Sequence, residues 1–282
     1  MPELPEVETI ARGVDRRVCG DQIIEGWFGS HQEPFKTPAW LQAKQLVDRR
    51  ILSVHRTGKH IVFELGRQSD RRTASRSTQV AAQWIVHLGM TGRLLVLTPD
   101  APVAKHTHAR LRLESGRELR FVDPRRFGRL EFRDLAEGNK FAGPGAEPLT
   151  IEAADFMELF RGRKLTIKAA LLNQKLLSGV GNIYADESLF RAGIRPGRRA
   201  GRLTKHELER LRTSLAEVLQ HAIRLGGSSV SDYVDAEGEK GFFQLEHFVY
   251  QRSGEPCRNC GTEIKRIVIA GRSTHYCSKC QG

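Results

Sequence analysis

The sequence predicts an α+β protein of more than one domain, with an N-terminal helix and an antiparallel β-sandwich followed by a helical second half. Three observations support this prediction. Apolar and polar residues alternate in several segments before residue 137, which is typical of strands. The segment 138–150 is rich in Gly and Pro and predicts a linker. Beyond it, apolar residues recur at helical spacing.

The first element is a helix from about Pro5 to about Val18. Its apolar positions fall on one face: Val7, Ile10, Ala11, Val14 and Val18. Pro5 suits a first helical turn, and Glu6 then lies near the positive end of the helix dipole. This leaves Pro2 and Glu3 unexplained, because a chain terminus without a role usually frays.

Strands follow the helix. Ile61, Phe63 and Leu65 point to one side of a predicted strand, and His60, Val62 and Glu64 point to the other. The stretch ARLRLESGRELRFVD predicts a hairpin with its turn at Ser115-Gly116. Between these pairs, the Arg-rich insertion 66–83 has few apolar residues and predicts an exposed loop.

The second half contains a long helix with clear ends. Thr204 and Glu207 form a capping-box pattern, and Gly226-Gly227 predicts the stop. Near the C-terminus, 264–269 and 273–276 predict two strands around a turn at Ala270-Gly271, which would point Arg272 outward.

Composition indicates the kind of partner. The 282 residues include 45 Lys and Arg against 33 Asp and Glu, a net charge of +12, which favours a polyanion such as nucleic acid. The sequence shows neither an apolar run long enough to span a bilayer nor a secretory leader. We therefore expect a cytosolic protein without membrane contact.

Four of the five cysteines lie in the last 26 residues as two CxxC pairs: Cys257, Cys260, Cys277 and Cys280. This spacing predicts a ribbon that holds one structural Zn²⁺, because four thiolates leave no open position for water. Two disulfides are the alternative, and they would need an oxidising compartment. Cys19 is expected to be a buried, inert thiol.

The chain terminus has the chemistry of a nucleophile. Removal of Met1 before the small Pro2 would expose a secondary amine, and an α-amino group has a pKa of about 8. Attack on a sugar C1′ or an aldehyde would give an iminium. Glu3 could transfer protons during ring opening, and Glu6, one turn on, could position the pair.

Six motifs in order resemble the family of formamidopyrimidine-DNA glycosylases and endonuclease VIII. They are MPELPEVETI, Lys59 in RTGKHIVFEL, HLGMTGRL, DPRRFG, GVGNIYADESLF and the terminal cysteine ribbon. The resemblance covers nearly the whole chain. MPELPE, where endonuclease VIII relatives have MPEGPE, together with DPRRFG, resembles the branch that removes formamidopyrimidines and 8-oxoguanine.

The resemblance implies a bifunctional DNA glycosylase and AP lyase of base excision repair. Pro2 would attack C1′, Glu3 would protonate the sugar oxygen, and β,δ-elimination would nick the strand. Lys59 would contact phosphate and the lesion or assist proton transfer. Arg272 would grip phosphates beside the lesion, and Glu6 completes the predicted catalytic set.

An enzyme that extrudes a base must fill the hole that the base leaves. By resemblance, Met90 and Phe127 would fill this void, and Arg125 would pair with the estranged cytosine. Asn182 in GVGNIY would bind the DNA backbone between two helices. The other predicted backbone contacts are His106, Arg163, Lys164 and Tyr250. The segment from residue 226 to residue 243 would be a mobile lid over the flipped base.

The predicted domains are a β-sandwich catalytic domain (1–137), a linker (138–150), a helix-two-turns-helix domain (151–245) and a zinc-ribbon hairpin (246–282). We expect a monomer that binds double-stranded DNA with an oxidised base, in a bacterial cytoplasm and associated with the nucleoid through DNA. Two alternatives remain open: an endonuclease VIII-like glycosylase for oxidised pyrimidines, and a non-catalytic zinc-ribbon DNA-binding protein.

Overall fold

The computed structural model describes residues 1–68, 79–229, 236 and 241–282. The chain divides into two compact units. The first consists of Met1–Pro2, Glu6–Gly143 and Ser228–Gly241, and the second of Glu3–Pro5, Pro144–Gly227 and Phe242–Gly282. The division therefore passes between Pro2 and Glu3, which a peptide bond joins.

The predicted N-terminal helix is confirmed as α1, Leu4–Val18. Its apolar face is buried in the core of the first unit, where Val7, Ile10 and Val14 are at most 1% exposed. Residues at i, i+3 and i+7 share one side of a helix, so the periodicity of the sequence fixes which face is buried.

The first unit contains two antiparallel four-stranded sheets and the short helix α2, Ala39–Leu46. Its strands are β1 (Ile23–Phe28), β2 (Arg49–Thr57), β3 (His60–Gln68), β4 (Ala82–His87), β5 (Arg93–Leu97), β6 (Thr107–Leu113), β7 (Glu118–Val122) and β8 (Arg129–Asp134). The sheet orders are β1-β6-β7-β5 and β2-β3-β4-β8. Apolar side chains of both sheets and of α1 share one core, which confirms the predicted sandwich and the β6–β7 hairpin.

Strand β3 differs from a strand with one solvent-facing side, because both of its faces are buried. Val62 and Glu64, on the side opposite Phe63, are 0% and 6% exposed. Glu64 accepts a hydrogen bond from Gln83 Nε2 at 3.0 Å, and Gln83 Oε1 accepts the Phe141 N–H at 2.7 Å. The start of the Gly- and Pro-rich segment therefore packs on this sheet.

Two sequence predictions fall largely on residues that are not described. Residues 69–78 of the Arg-rich insertion, and residues 230–235 and 237–240 of the predicted lid, lie outside the described ranges. The loop prediction is wrong at both ends of the insertion, because β3 extends to Gln68 and β4 begins at Ala82, where Ala82 and Gln83 are buried.

The second unit is mainly helical and ends in a hairpin. Its helices are α3 (Ala153–Phe160), α4 (Ile167–Leu171), α5 (Asn182–Arg191) and α6 (Lys205–Arg224), and its strands are β9 (Ile264–Ile269) and β10 (Arg272–Cys277). The Thr204–Glu207 capping box is confirmed. The Ala270-Gly271 turn is also confirmed, and both residues have positive φ (49° and 72°), as a tight hairpin turn requires.

The expectation of a buried Cys19 is wrong. The residue is exposed at the end of α1, and its thiol donates to the Leu52 carbonyl at 3.2 Å. Position 19 follows the last turn of α1, so the periodicity of the helix does not determine its burial. None of the helices in the described ranges combines the length and apolar character that a membrane crossing needs.

Candidate active site and DNA-binding residues

The Glu3 carboxylate lies at the N-terminus of α5. The backbone N–H groups of Ile183 and Tyr184 donate to its two oxygens at 3.2 and 3.4 Å. These N–H groups have no partner within the helix, and the helix dipole favours a negative group there. Glu3 is 5% exposed, so this carboxylate is held in place rather than free in solvent.

Two glycines of the GVGN sequence allow this close approach. A Cβ at Gly181 would lie 2.2 Å from the Glu3 Cδ, and a Cβ at Gly179 would lie 2.9 Å from the Leu4 Cβ. The Leu4 N–H donates to the Gly179 carbonyl at 3.0 Å. The glycines therefore make room for the chain terminus.

Three other predicted catalytic residues, Pro2, Glu6 and Lys59, belong to the first unit. Pro2 is buried, and Glu6 is 2% exposed and accepts the Ser228 N–H at 2.8 Å. Glu6 thus fixes the start of the segment 228–241. Lys59 is 8% exposed and lies in the tight turn between β2 and β3, after Gly58 with φ of 60°.

The predicted wedge residues lie on two loops that pack against each other. Met90 and Phe127 are 43% and 49% exposed. The Arg125 guanidinium lies over the Phe127 ring, 4.7 Å from its centre. Gly89 meets the Phe127 backbone so closely that a Cβ there would lie 2.5 Å from its carbonyl carbon.

Asp123 organises both of these loops, and sequence reasoning missed it. It is fully buried; one carboxylate oxygen accepts from the Thr91 hydroxyl at 2.6 Å, and the other accepts the Gly128 N–H at 2.8 Å. The carboxylate therefore links HLGMTG to DPRRFG. The available signal was the Asp-Pro step itself, since Asp before a turn commonly accepts backbone N–H groups.

The turn after His87 has a second support. The His87 Nδ1 accepts the Gly89 N–H at 3.2 Å. Burial lowers the pKa of His87 to about 4, and the neighbouring His60 and Lys59 add to this effect. The ring is therefore neutral at pH 7, which leaves Nδ1 free to accept this bond.

Asn182, Tyr250 and Arg272 come together in the second unit. The Asn182 amide donates to the carbonyl of Ser273, the residue after Arg272, at 3.0 Å. It also forms a hydrogen bond with the Tyr250 hydroxyl. Burial raises the pKa of Tyr250, and the nearby Glu3 and Asp186 act in the same direction. Arg272 itself is exposed at the start of β10.

The remaining predicted backbone contacts are exposed and belong to different units. His106 belongs to the first unit, where its carbonyl accepts the Asp123 N–H at 2.9 Å. Arg163 and Lys164 lie between α3 and α4 of the second unit. Their exposure leaves the cationic groups accessible to an anionic partner.

The four C-terminal cysteines form a cluster that fits zinc. Their sulfur atoms all lie within 4.8 Å of one another, with Cys257–Cys280 at 3.9 Å and Cys260–Cys277 at 3.5 Å. A tetrahedron with Zn–S bonds of 2.3 Å has S–S edges of about 3.8 Å. Four thiolates complete the coordination of Zn²⁺ and make the site structural. Cys257 and Cys277 pack with Phe190 of α5 and Ile264.

Removal of zinc is therefore expected to release the hairpin that carries Arg272. We expect about one zinc per chain by elemental analysis, and treatment with a chelator should weaken binding to duplex DNA by at least about tenfold, because metal binding and folding of such ribbons are coupled. Added Zn²⁺ should restore binding. A metal-free protein that keeps both the hairpin and its DNA affinity would contradict this prediction.

Comparison with known proteins assigns the family. The models of the formamidopyrimidine-DNA glycosylase N-terminal domain, of its H2TH domain and of a zinc finger found in FPG and IleRS match residues 1–130, 143–234 and 254–282. The formamidopyrimidine-DNA glycosylase of Solibacter usitatus is 43% identical over 281 residues, which cover 100% of this chain and 99% of that protein. The chain belongs to the formamidopyrimidine-DNA glycosylase family.

Solved structures agree with this assignment. A variant of the Lactococcus lactis Fpg in complex with DNA containing Fapy-dG superimposes with a TM-score of 0.85 at 34% identity, covering 99% of each chain. The wild-type L. lactis protein in complex with DNA containing an oxidised pyrimidine gives 0.83 at 35% identity, again over 99% of each chain. The zinc-finger match and the sulfur cluster together identify the terminal hairpin as a structural zinc site.

Proposed function

We propose that this chain is a DNA glycosylase of base excision repair with AP lyase activity, and that it removes oxidised purines from duplex DNA. The observation that carries the proposal is the Glu3 carboxylate held by two N–H groups of α5, next in sequence to the only residue whose amine becomes a nucleophile when Met1 is removed. Family membership supports the same activity.

The reaction begins at Pro2. Its neutral amine nitrogen attacks C1′, the N-glycosidic bond breaks, and the electron pair of that bond leaves with the damaged base, which takes a proton from water. The attacking nitrogen then gives its own proton to the Glu3 carboxylate. The nitrogen lone pair then forms an iminium as the bond between C1′ and the ring oxygen breaks, and Glu3 supplies the proton to that oxygen. Removal of a C2′ proton expels the 3′ phosphate, and a second elimination expels the 5′ phosphate. Hydrolysis of the imine frees Pro2.

The other predicted residues are proposed to hold the DNA. Met90 and Phe127 are the exposed apolar groups that would occupy the space of the extruded base, with Arg125 facing the opposite base. Lys59 would contact the phosphate and the lesion of the reacting nucleotide or assist proton transfer. The backbone contacts are assigned to His106, Arg163, Lys164, Asn182, Tyr250 and Arg272, because charge neutralisation provides most of the affinity for DNA.

A second candidate function is the removal of oxidised pyrimidines, favoured by the L. lactis structure with such DNA. Cleavage of matched duplexes with 8-oxoguanine opposite cytosine or with thymine glycol separates the two. We expect faster cleavage of the 8-oxoguanine duplex and a covalent adduct after borohydride reduction. Faster cleavage of thymine glycol would favour the second function, and binding without cleavage or adduct would indicate a non-catalytic DNA-binding protein.

The predicted bounds of the four segments and the monomeric state are part of the same proposal. All residues assigned here belong to a single chain, so one copy has every proposed group. Light scattering of the protein with one lesion duplex should give the mass of a one-to-one complex.

A further inference from the structure

A buried ion pair joins two helices of the second unit and is not among the proposed reacting groups. Lys168 of α4 and Asp186 of α5 are both 0% exposed, and the Lys168 Nζ lies 2.7 Å from the Asp186 Oδ1. Burial lowers the pKa of Lys168, against the effect of Asp186. Buried pairs are expensive to desolvate and often add little net stability, so stability alone does not account for this pair.

The pair fixes the strand that begins with Arg272. The other Asp186 oxygen, Oδ2, accepts the backbone N–H of His275 at 2.9 Å and lies 3.2 Å from the His275 Nδ1. The Lys168 Nζ also donates to the Ser273 carbonyl at 2.7 Å. Asp186 and its partner thus hold β10 at both Ser273 and His275.

The Ser273 carbonyl receives a second bond, from the Asn182 amide at 3.0 Å. Two donors on one carbonyl fix the peptide between Ser273 and Thr274, one residue beyond Arg272. Arg272 also pairs with Ile269 of β9, which further constrains its backbone. The backbone position of Arg272 is therefore determined by α4 and α5, while its side chain remains exposed.

Helix α5 also receives the Glu3 carboxylate at its N-terminus. Asp186 lies one turn further along the same helix. A helix is a stiff element, so the two attachments set a fixed distance between the backbone of Arg272 and the carboxylate of Glu3. A buried acid on α5 is suited to this role, because a bond to charge is stronger and more directional than a neutral one.

We propose that Asp186 is a positioning residue for Arg272: through His275 and Lys168 it holds β10 on α5, so that the Arg272 guanidinium reaches a phosphate of the damaged strand while Glu3 faces the sugar. The inference rests on the proposed function. It assigns Asp186 no contact with DNA, and it predicts that its effect on DNA binding passes through Arg272.

The test is a double-mutant cycle in the full-length zinc-loaded protein with Asp186→Asn and Arg272→Ala. The probe is a duplex with an uncleavable tetrahydrofuran abasic analogue, and Kd is measured over a range of salt concentrations. Loss of one phosphate contact lowers the slope of log Kd against log salt by about 0.9. We expect this change in both single variants and no further change in the double variant.

Arg163→Ala provides the matched control. Arg163 is an exposed cation of the same unit and lies between α3 and α4, outside β10. The losses of binding free energy in Arg163→Ala and Asp186→Asn should therefore add fully in the double variant. If Asp186→Asn weakens binding with an unchanged salt slope, or adds fully to Arg272→Ala, the residue is only structural and the proposal is wrong.

His275 gives a milder variant should Asp186→Asn fail to fold. His275→Phe removes only the Nδ1 contact and keeps a ring beside Tyr250, whose centre lies 5.2 Å away. His275→Asn places an amide nitrogen where Nδ1 lies and should restore the salt slope that His275→Phe lowers. Equal slopes in the two variants would overturn the proposal.

Failure of the proposed function gives a different result. If the wild-type protein neither cleaves a lesion duplex nor forms an adduct, the glycosylase assignment fails, whatever the cycle shows. If the wild type cleaves and Arg272→Ala lowers the salt slope while the cycle is additive, the function stands and only the role of Asp186 is refuted.

Discussion

Replacing Pro2 by glycine is expected to lower the rate of base removal by at least about 10³-fold, as losses of a catalytic nucleophile do in other enzymes. Glycine after Met1 still permits removal of the methionine, so the terminus is exposed but carries a primary amine without the proline ring. Borohydride trapping on a lesion duplex measures the loss directly. Affinity for an uncleavable abasic analogue should change by less than about threefold, because affinity comes mainly from phosphate contacts.

Pro5→Ala is the matched control for this variant. Pro5 is also buried and lies three positions further on, within the first turn of α1. Alanine is a good helix former, so adduct formation should stay close to that of the wild type. N-terminal mass analysis must show that Met1 is absent in all three proteins. A Pro2→Gly protein that forms the adduct at the wild-type rate would exclude Pro2 as the nucleophile.

Elements with a local cause could be predicted from the sequence. Helix α6 follows from a capping box and a row of apolar residues, and the structure contains the reciprocal Thr204–Glu207 bonds. Bonds from Arg198 and Thr204 lower the pKa of Glu207 to about 2. The terminal hairpin follows in the same way from Ala270-Gly271 and the cysteine spacing. Each of these causes lies within a few residues of its effect.

Contacts between distant parts of the chain could not be predicted. The oxygens of Glu3 accept N–H groups 180 and 181 positions away, and the Asp186 Oδ2 accepts an N–H group 89 positions away. Every residue except proline has a backbone N–H group, so no residue pattern in the sequence shows which of these groups donates to a given carboxylate. Glu187 shows the same limit: its carboxylate accepts the N–H groups of Phe248, Val249 and Tyr250, and burial raises its pKa despite them.

The predicted insertion loop and the predicted lid illustrate a different limit. Composition predicts that they are loops, but neither periodicity nor a motif says which side chains they present. The predicted wedge residues differ in this respect, because family resemblance points to Met90 and Phe127 themselves. The structure adds that both are exposed on loops joined by the buried Asp123. A rigid mount is what a wedge needs, since a flexible one would lose its stacking energy to conformational entropy.

Gly181→Ala is expected to lower base removal by about 100-fold, the loss associated with misplacing a catalytic group by about 1 Å. The backbone at Gly181 is extended, with φ of −131°, so alanine can adopt the same backbone conformation. Its Cβ would lie 2.2 Å from the Glu3 Cδ and 2.4 Å from the Glu3 Oε1. The tip of the Glu3 side chain is the part that can move, so the variant should expel the carboxylate from α5 and keep the fold.

The size of the effect should differ between the two activities. An abasic site has an open aldehyde form that needs no protonation of the ring oxygen, so Gly181→Ala should impair lyase activity on abasic DNA less than excision of 8-oxoguanine. Gly197→Ala is the control, because this exposed glycine of the same unit has no atom within 4 Å of an added Cβ. Melting temperatures of both variants should stay within about 4 °C of the wild type. Wild-type excision by a folded Gly181→Ala protein would show that the bonds between Glu3 and α5 do not serve catalysis.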